Sequence, residues 1–197
     1  MSPRRRDLGL AALSMATGLH LAMLQASHFL LLEAHLSARS QTYLLTLTFW
    51  LVGFLIGLRI PERPAGVGWA FPGLLGAGTL CYYAAYALSR RLPFHDVLYV
   101  TAALGSAVGA LLAGHFFRAV AGRLRPLRRP LLHENNGYLV GLLLSLWGAT
   151  RFGGRLLAWA PAAGAVLVAL AWAAARPGAG ATEATEATEG EPKPAGG

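Results

Sequence analysis

Four residues in the first apolar stretch could do chemistry that hydrocarbon would normally exclude: His20, Gln25, Ser27 and His28, with Glu33 and His35 closing its far end. At 100° per residue His20 and Ser27 share one face of a helix, and His28 lies beside them. Ionisable groups at membrane depth are costly, so by default they are read as functional. The plainer reading is that the histidines are neutral and hydrogen-bond to neighbouring helices. A polar pocket built from Gln25, His28, Glu33 and Thr46, with Asn135 and Asn136 at its cytoplasmic mouth, would suit a small polar or cationic solute.

Other chemistries fit less well. Haem needs two axial histidines at matching depth on different helices, and His115 stands near the end of its span while His20 stands near the middle. No HExxH or other compact spacing supports zinc. The Leu104-Gly-Ser-Ala107 stretch lacks the Gly-x-Ser-Gly arrangement of rhomboid proteases. The expectation is a non-enzymatic protein without metal or cofactor. Cys81, the one cysteine, excludes an internal disulfide and reads as a small core residue. Tyr82, Tyr83 and Tyr86 precede Arg90 and Arg91, which reads as an interfacial belt.

The elements that would position these residues are membrane helices. The chain is 55% hydrophobic and 13% charged, about half the charge of a soluble domain, and a bilayer absorbs that apolar surface. A net charge of +8 could suggest nucleic acid, but the charge is arginine at the ends of apolar blocks, which is a topology signal. Nucleic acid is therefore not an expected partner. Six blocks approach bilayer length: Leu8–Leu32, Thr42–Leu58, Val67–Leu88, Asp96–Phe117, Gly137–Thr150 and Leu156–Ala175. The fifth is short, at roughly 21 Å of helical rise, so either Glu134, Asn135 and Asn136 dip into the membrane or Arg151 snorkels outward.

The expected architecture is thus an all-α bundle of six transmembrane helices at residues 8–176, after a basic N-terminus at 1–7. The Ala-Thr-Glu repeats from Ala181 belong to a low-complexity tail at 177–197, expected to be disordered. With the N-terminus inside, Arg4, Arg5, Arg6, Arg59, Arg63, Arg118, Arg123, Arg125, Arg128, Arg129 and Arg176 face the cytoplasm. Arg39, Arg90, Arg91, Arg151 and Arg155 face outward. That bias puts both termini inside. It makes Phe116–Leu132 a cytoplasmic loop, whose Arg118–Arg129 segment lies on anionic headgroups. Asp96 should cap the fourth helix.

Small residues mark helix contacts. Gly53 and Gly57, Gly105 and Gly109, and Gly137 and Gly141 each place two glycines on one face, where backbones can approach in lipid.

Two segments carry a family resemblance. Glu33-Ala-His-Leu-Ser-Ala-Arg-Ser-Gln-Thr-Tyr and the glycine-bearing span that follows to Gly57 resemble the first loop and second span of the membrane domain in bacterial spermidine synthase-like proteins. His133-Glu-Asn-Asn-Gly-Tyr-Leu-Val-Gly-Leu-Leu-Leu resembles that family's fifth span. The resemblance implies a multi-pass protein of a bacterial inner membrane. The family's soluble aminopropyltransferase domain, with its glycine-rich loop and catalytic aspartate, has no counterpart here. The membrane part is also distantly similar to half of a major-facilitator-type transporter. An echo between Tyr43-Leu-Leu-Thr-Leu and Tyr138-Leu-Val-Gly-Leu fits a three-plus-three inverted repeat. The function expected is solute binding or transport, as a homodimer; the alternative is a structural or assembly subunit of a larger membrane complex.

Overall fold

A computed structural model describes residues 3–36, 40–61, 70–121 and 128–175. The described residues form six helices: α1 (Pro3–His35), α2 (Ser40–Gly57), α3 (Ala70–Arg91), α4 (Val97–Ala121), α5 (Arg128–Phe152) and α6 (Gly154–Ala175). Four of them hold stretches long and apolar enough to cross a membrane: Leu8–His35, Ser40–Gly57, Val97–Ala119 and Gly154–Ala175. Polar ends set α3 and α5 apart, with Arg90 and Arg91 closing α3 and His133 to Asn136 lying near the start of α5. Arg39, Arg63, Arg123, Arg125, Arg176 and the tail lie outside the described residues.

Several boundaries differ from the sequence expectation. The fifth helix is not short: it begins at Arg128, and its 25 residues rise about 37 Å. The expected loop Phe116–Leu132 is accordingly helical at both sides. Pro130 does not prevent this, because first-turn backbone N–H groups have no helical partner to lose. At the start of α4 the cap is His95 rather than Asp96, with the Val97 N–H donating to His95 Nδ1 at 3.1 Å.

The buried faces fit lipid as the surrounding solvent. On α2 the buried residues are Thr42, Thr46, Gly53 and Gly57, while Leu44, Leu47, Leu51 and Leu55 are exposed. On α5 Gly137, Gly141 and Ser145 are buried, while Leu139, Leu143 and Leu146 are exposed. Small and polar inside, leucine outside, is the arrangement of helices that associate by close backbone approach rather than by a hydrophobic effect.

α1 touches every other helix, so the most polar apolar stretch is also the centre of the bundle. Its main partners are α5 and α6, whereas α4 packs mainly on α2 and α3. The two sets repeat one design. A methyl group at Gly137 would collide with the Met15 carbonyl, and one at Gly53 with the Ala107 carbonyl. One turn on, Gly141 meets Leu19 and Ala22 of α1, and Gly57 meets Leu111 and Gly114 of α4. Both pairs therefore run parallel. α6 is antiparallel to α1, with Gly9 beside Ala175 and Gly164 beside His20. α3 is likewise antiparallel to α4, with Gly78 beside Gly109 and Gly105 near Cys81.

α1 and α4 themselves cross antiparallel, with Leu24 against Gly109 and His28 against Gly105. Exchanging α1 with α4, α2 with α5 and α3 with α6 thus maps the main packing pairs (α1 on α5 and α6, α4 on α2 and α3) onto each other with inverted direction, whereas the smaller contacts of α1 with α2 and α3 and of α5 with α6 have no comparable counterpart. The register is set by glycines: Gly53 and Gly57 correspond to Gly137 and Gly141. The Tyr43/Tyr138 echo is out of that register, and Phe54 is the residue equivalent to Tyr138.

Candidate functional site

The polar residues of α1 converge on a defect in α6. Pro161 lies inside that helix and has no N–H, so the carbonyl of Leu157 four residues earlier loses its helical partner. Tyr82 of α3 supplies one, its hydroxyl donating to Leu157 O at 2.8 Å. The next rung is opened as well: the Tyr83 hydroxyl donates to Ala158 O at 3.0 Å and accepts the Ala162 N–H at 3.2 Å. These hydroxyls are structural parts of the α3–α6 contact. The belt reading is corrected for Tyr82, which is fully buried; Tyr86 keeps a place near the helix end, with Arg90 6.0 Å from its ring centroid.

His28 stands edge-on to the Tyr82 ring, with centroids 5.0 Å apart at 84°. Its Nδ1 lies 3.0 Å from the Leu24 carbonyl, so Nδ1 carries the proton and Nε2 is the acceptor. Nε2 points at α4 beside Gly105, where there is no room for a side chain. His20 lies against Pro161 and Gly164 of α6, and the Ser27 hydroxyl faces Tyr82. Thr17 Oγ1, His28 Nε2 and Ser106 Oγ are buried without a hydrogen-bond partner among the described residues. Each such atom costs about 1–3 kcal/mol unless a solute or water meets it.

Gln25 is buried and accepts a hydrogen bond from the Tyr138 hydroxyl, joining α1 to α5. Thr46 is fully buried on α2, its hydroxyl donating to Thr42 O at 3.0 Å. Gln25, His28 and Thr46 thus lie inside the bundle. Glu33, Asn135 and Asn136 are exposed and stand apart from them. The glycines divide similarly. Gly53, Gly57, Gly137 and Gly141 make backbone contacts, whereas Gly105 and Gly109 chiefly admit the His28 and Leu24 side chains. Gly18, Gly114 and Gly164 have contacts as close, unremarked by pattern because no second glycine stands four residues away.

A cleft opens on the other half. It is lined by Phe54 of α2, Ala113, Phe116 and Phe117 of α4, and Pro130, Leu131 and Glu134 of α5, with a volume of about 220 Å³. In the repeat, Phe54 corresponds to Tyr138, Phe117 to Gln25, Pro130 to Thr46 and Glu134 to Trp50. The Phe54 and Phe117 rings, 6.1 Å apart, occupy the positions of the Tyr138–Gln25 bond. One half is therefore closed by a hydrogen bond where the other is held by a loose ring contact. Glu134 was visible in the sequence as an acid near the fifth span, but only the position of α5 makes it a cleft residue.

Among the described residues no group of three or more His, Cys, Asp or Glu could hold a metal ion. No protein family, curated protein or solved structure matches the chain.

Proposed function

We propose that this chain is a non-enzymatic, six-span membrane protein with both termini on the cytoplasmic side, which binds a small polar or cationic solute and passes it between two symmetry-related clefts. One observation carries this reading. The cleft at Phe54, Phe117 and Glu134 is open, while at the corresponding positions of the other half Tyr138 and Gln25 are joined by a hydrogen bond and Thr46 is fully buried. Inverted repeats with a site between them support alternating access, because each half can adopt the other's packing. The apolar helices support a membrane location, and the resemblance of the Glu33–Gly57 and His133–Leu144 segments to a bacterial family is what favours a bacterial inner membrane.

The test is thiol accessibility in a Cys81→Ala background. Thr46→Cys should be shielded from an impermeant maleimide, and Leu131→Cys should react from the cytoplasmic side. Adding Tyr138→Phe should raise the first rate at least tenfold and lower the second. Rates that do not move in opposite directions would refute the exchange of clefts.

A further inference from the structure

The open cleft has a composition that selects its ligand. Three phenylalanines, Phe54, Phe116 and Phe117, together with Leu131, Pro130 and Ala113, make the walls, and Glu134 supplies the one carboxylate. Glu134 is only partly exposed, and burial desolvates its carboxylate. A desolvated carboxylate in a cleft favours a positive ligand.

The walls decide which kind. A bare metal cation needs several oxygen ligands, and here only one acidic side chain faces apolar surface. Aromatic faces instead attract organic cations, more strongly where water is excluded. The volume of about 220 Å³ lies below the roughly 300–1,000 Å³ of drug-sized sites, so the ligand is small. The mate of Glu134 in the repeat is Trp50, whose ring packs 3.6 Å from where a Gly109 side chain would begin. The charge is thus confined to one of the two clefts.

We infer that the cleft between α2, α4 and α5 is a binding site for a small organic ammonium ion carrying one aromatic or compact apolar group, with Glu134 as counter-ion and Phe54, Phe116 and Phe117 as walls. The assignment rests on the solute-handling reading and names its substrate class, but binding at this cleft does not require that the clefts exchange.

The experiment is calorimetric titration of the full chain in mild detergent with benzyltrimethylammonium. Saturable one-to-one binding is expected. Glu134→Gln should weaken it at least tenfold, and Phe117→Ala should weaken it measurably should the first variant prove unstable. Asp96→Asn, which removes an exposed acid at the opposite end of the bundle, should leave affinity unchanged. The uncharged isostere neopentylbenzene should not compete. Absence of saturable binding, equal affinity in Glu134→Gln, or an equal loss in Asp96→Asn would overturn the site. Binding that depends on Glu134 while the thiol rates at Thr46→Cys and Leu131→Cys stay fixed would uphold the site and refute transport.

Discussion

The hydroxyl of Tyr82 donates to the carbonyl of Leu157, the one carbonyl that Pro161 deprives of its helical partner. The two residues lie on α3 and α6, so a local backbone defect becomes an interhelical bond. Removing the donor leaves a buried carbonyl unpaired, which costs about 1–3 kcal/mol. Tyr82→Phe should therefore lower thermal stability in detergent. In Pro161→Ala the new N–H of residue 161 can serve Leu157, so the cost of Tyr82→Phe should shrink by at least about 1 kcal/mol in that background. Additive losses in this double-mutant cycle would show that the hydroxyl is not replacing the missing helical bond.

Glycine tolerance should follow position rather than count. At Gly53 and Gly137 an added methyl would collide with a backbone carbonyl of the neighbouring helix, so alanine must push α2 from α4, or α5 from α1. Each variant should lose about 2 kcal/mol or more, in the range of overpacked cores. Gly76 has open space around it on α3, and there alanine should gain up to about 1 kcal/mol of helix propensity. Unfolding measurements on the three variants check this, and equal behaviour of Gly53→Ala and Gly76→Ala would contradict the close approach.

These contacts show what the sequence could and could not reveal. Periodicity finds an element when its signal is carried by the element's own residues, as in α2, where leucines line one face and Thr42, Thr46, Gly53 and Gly57 the other. The polar character of α1 was equally legible in His20, Gln25 and His28. Partnership was not. Gln25 pairs with Tyr138 more than a hundred residues away, and the Tyr82 hydroxyl reads as interfacial until Pro161 is placed opposite it. Glu134 is obscured for a different reason: the apolar block starts at Gly137, whereas backbone hydrogen bonding carries the helix through a polar turn to Arg128. The repeat was hidden because its register is kept by small residues at contact points, while the side chains between them differ.

Strain at the α3–α4 connection offers a simpler test. Phe94 has φ of 64°, in the left-handed region that disfavours residues with a Cβ. Its N–H donates to the His35 carbonyl at 2.8 Å, tying the connection to the end of α1, while its ring is exposed. Phe94→Gly keeps that bond and relieves the strain, so it should raise stability by about 1 kcal/mol. A loss instead would mean that the exposed ring makes contacts with lipid that outweigh the backbone term.

The six helices alternate in direction, so the proposed topology makes a paired prediction about their ends. Phe71 of α3 lies tilted against Phe116 of α4 and stacks on Trp172 of α6, with ring centroids 5.9 Å and 6.5 Å away, which gathers the start of α3 and the ends of α4 and α6 at one end of the bundle. Arg59, just beyond α2, belongs to that end, whereas Arg91 and Arg151 belong to the other; all three are exposed. The arginine bias puts the Arg59 end in the cytoplasm. In intact cells carrying Cys81→Ala, an impermeant maleimide should label Arg91→Cys and Arg151→Cys, and should label Arg59→Cys only after permeabilisation. Labelling of Arg59→Cys in intact cells with protection of the other two would invert the orientation. Labelling of Arg91→Cys and Arg151→Cys from opposite sides would instead show that α4 or α5, the two helices between them, does not cross the bilayer.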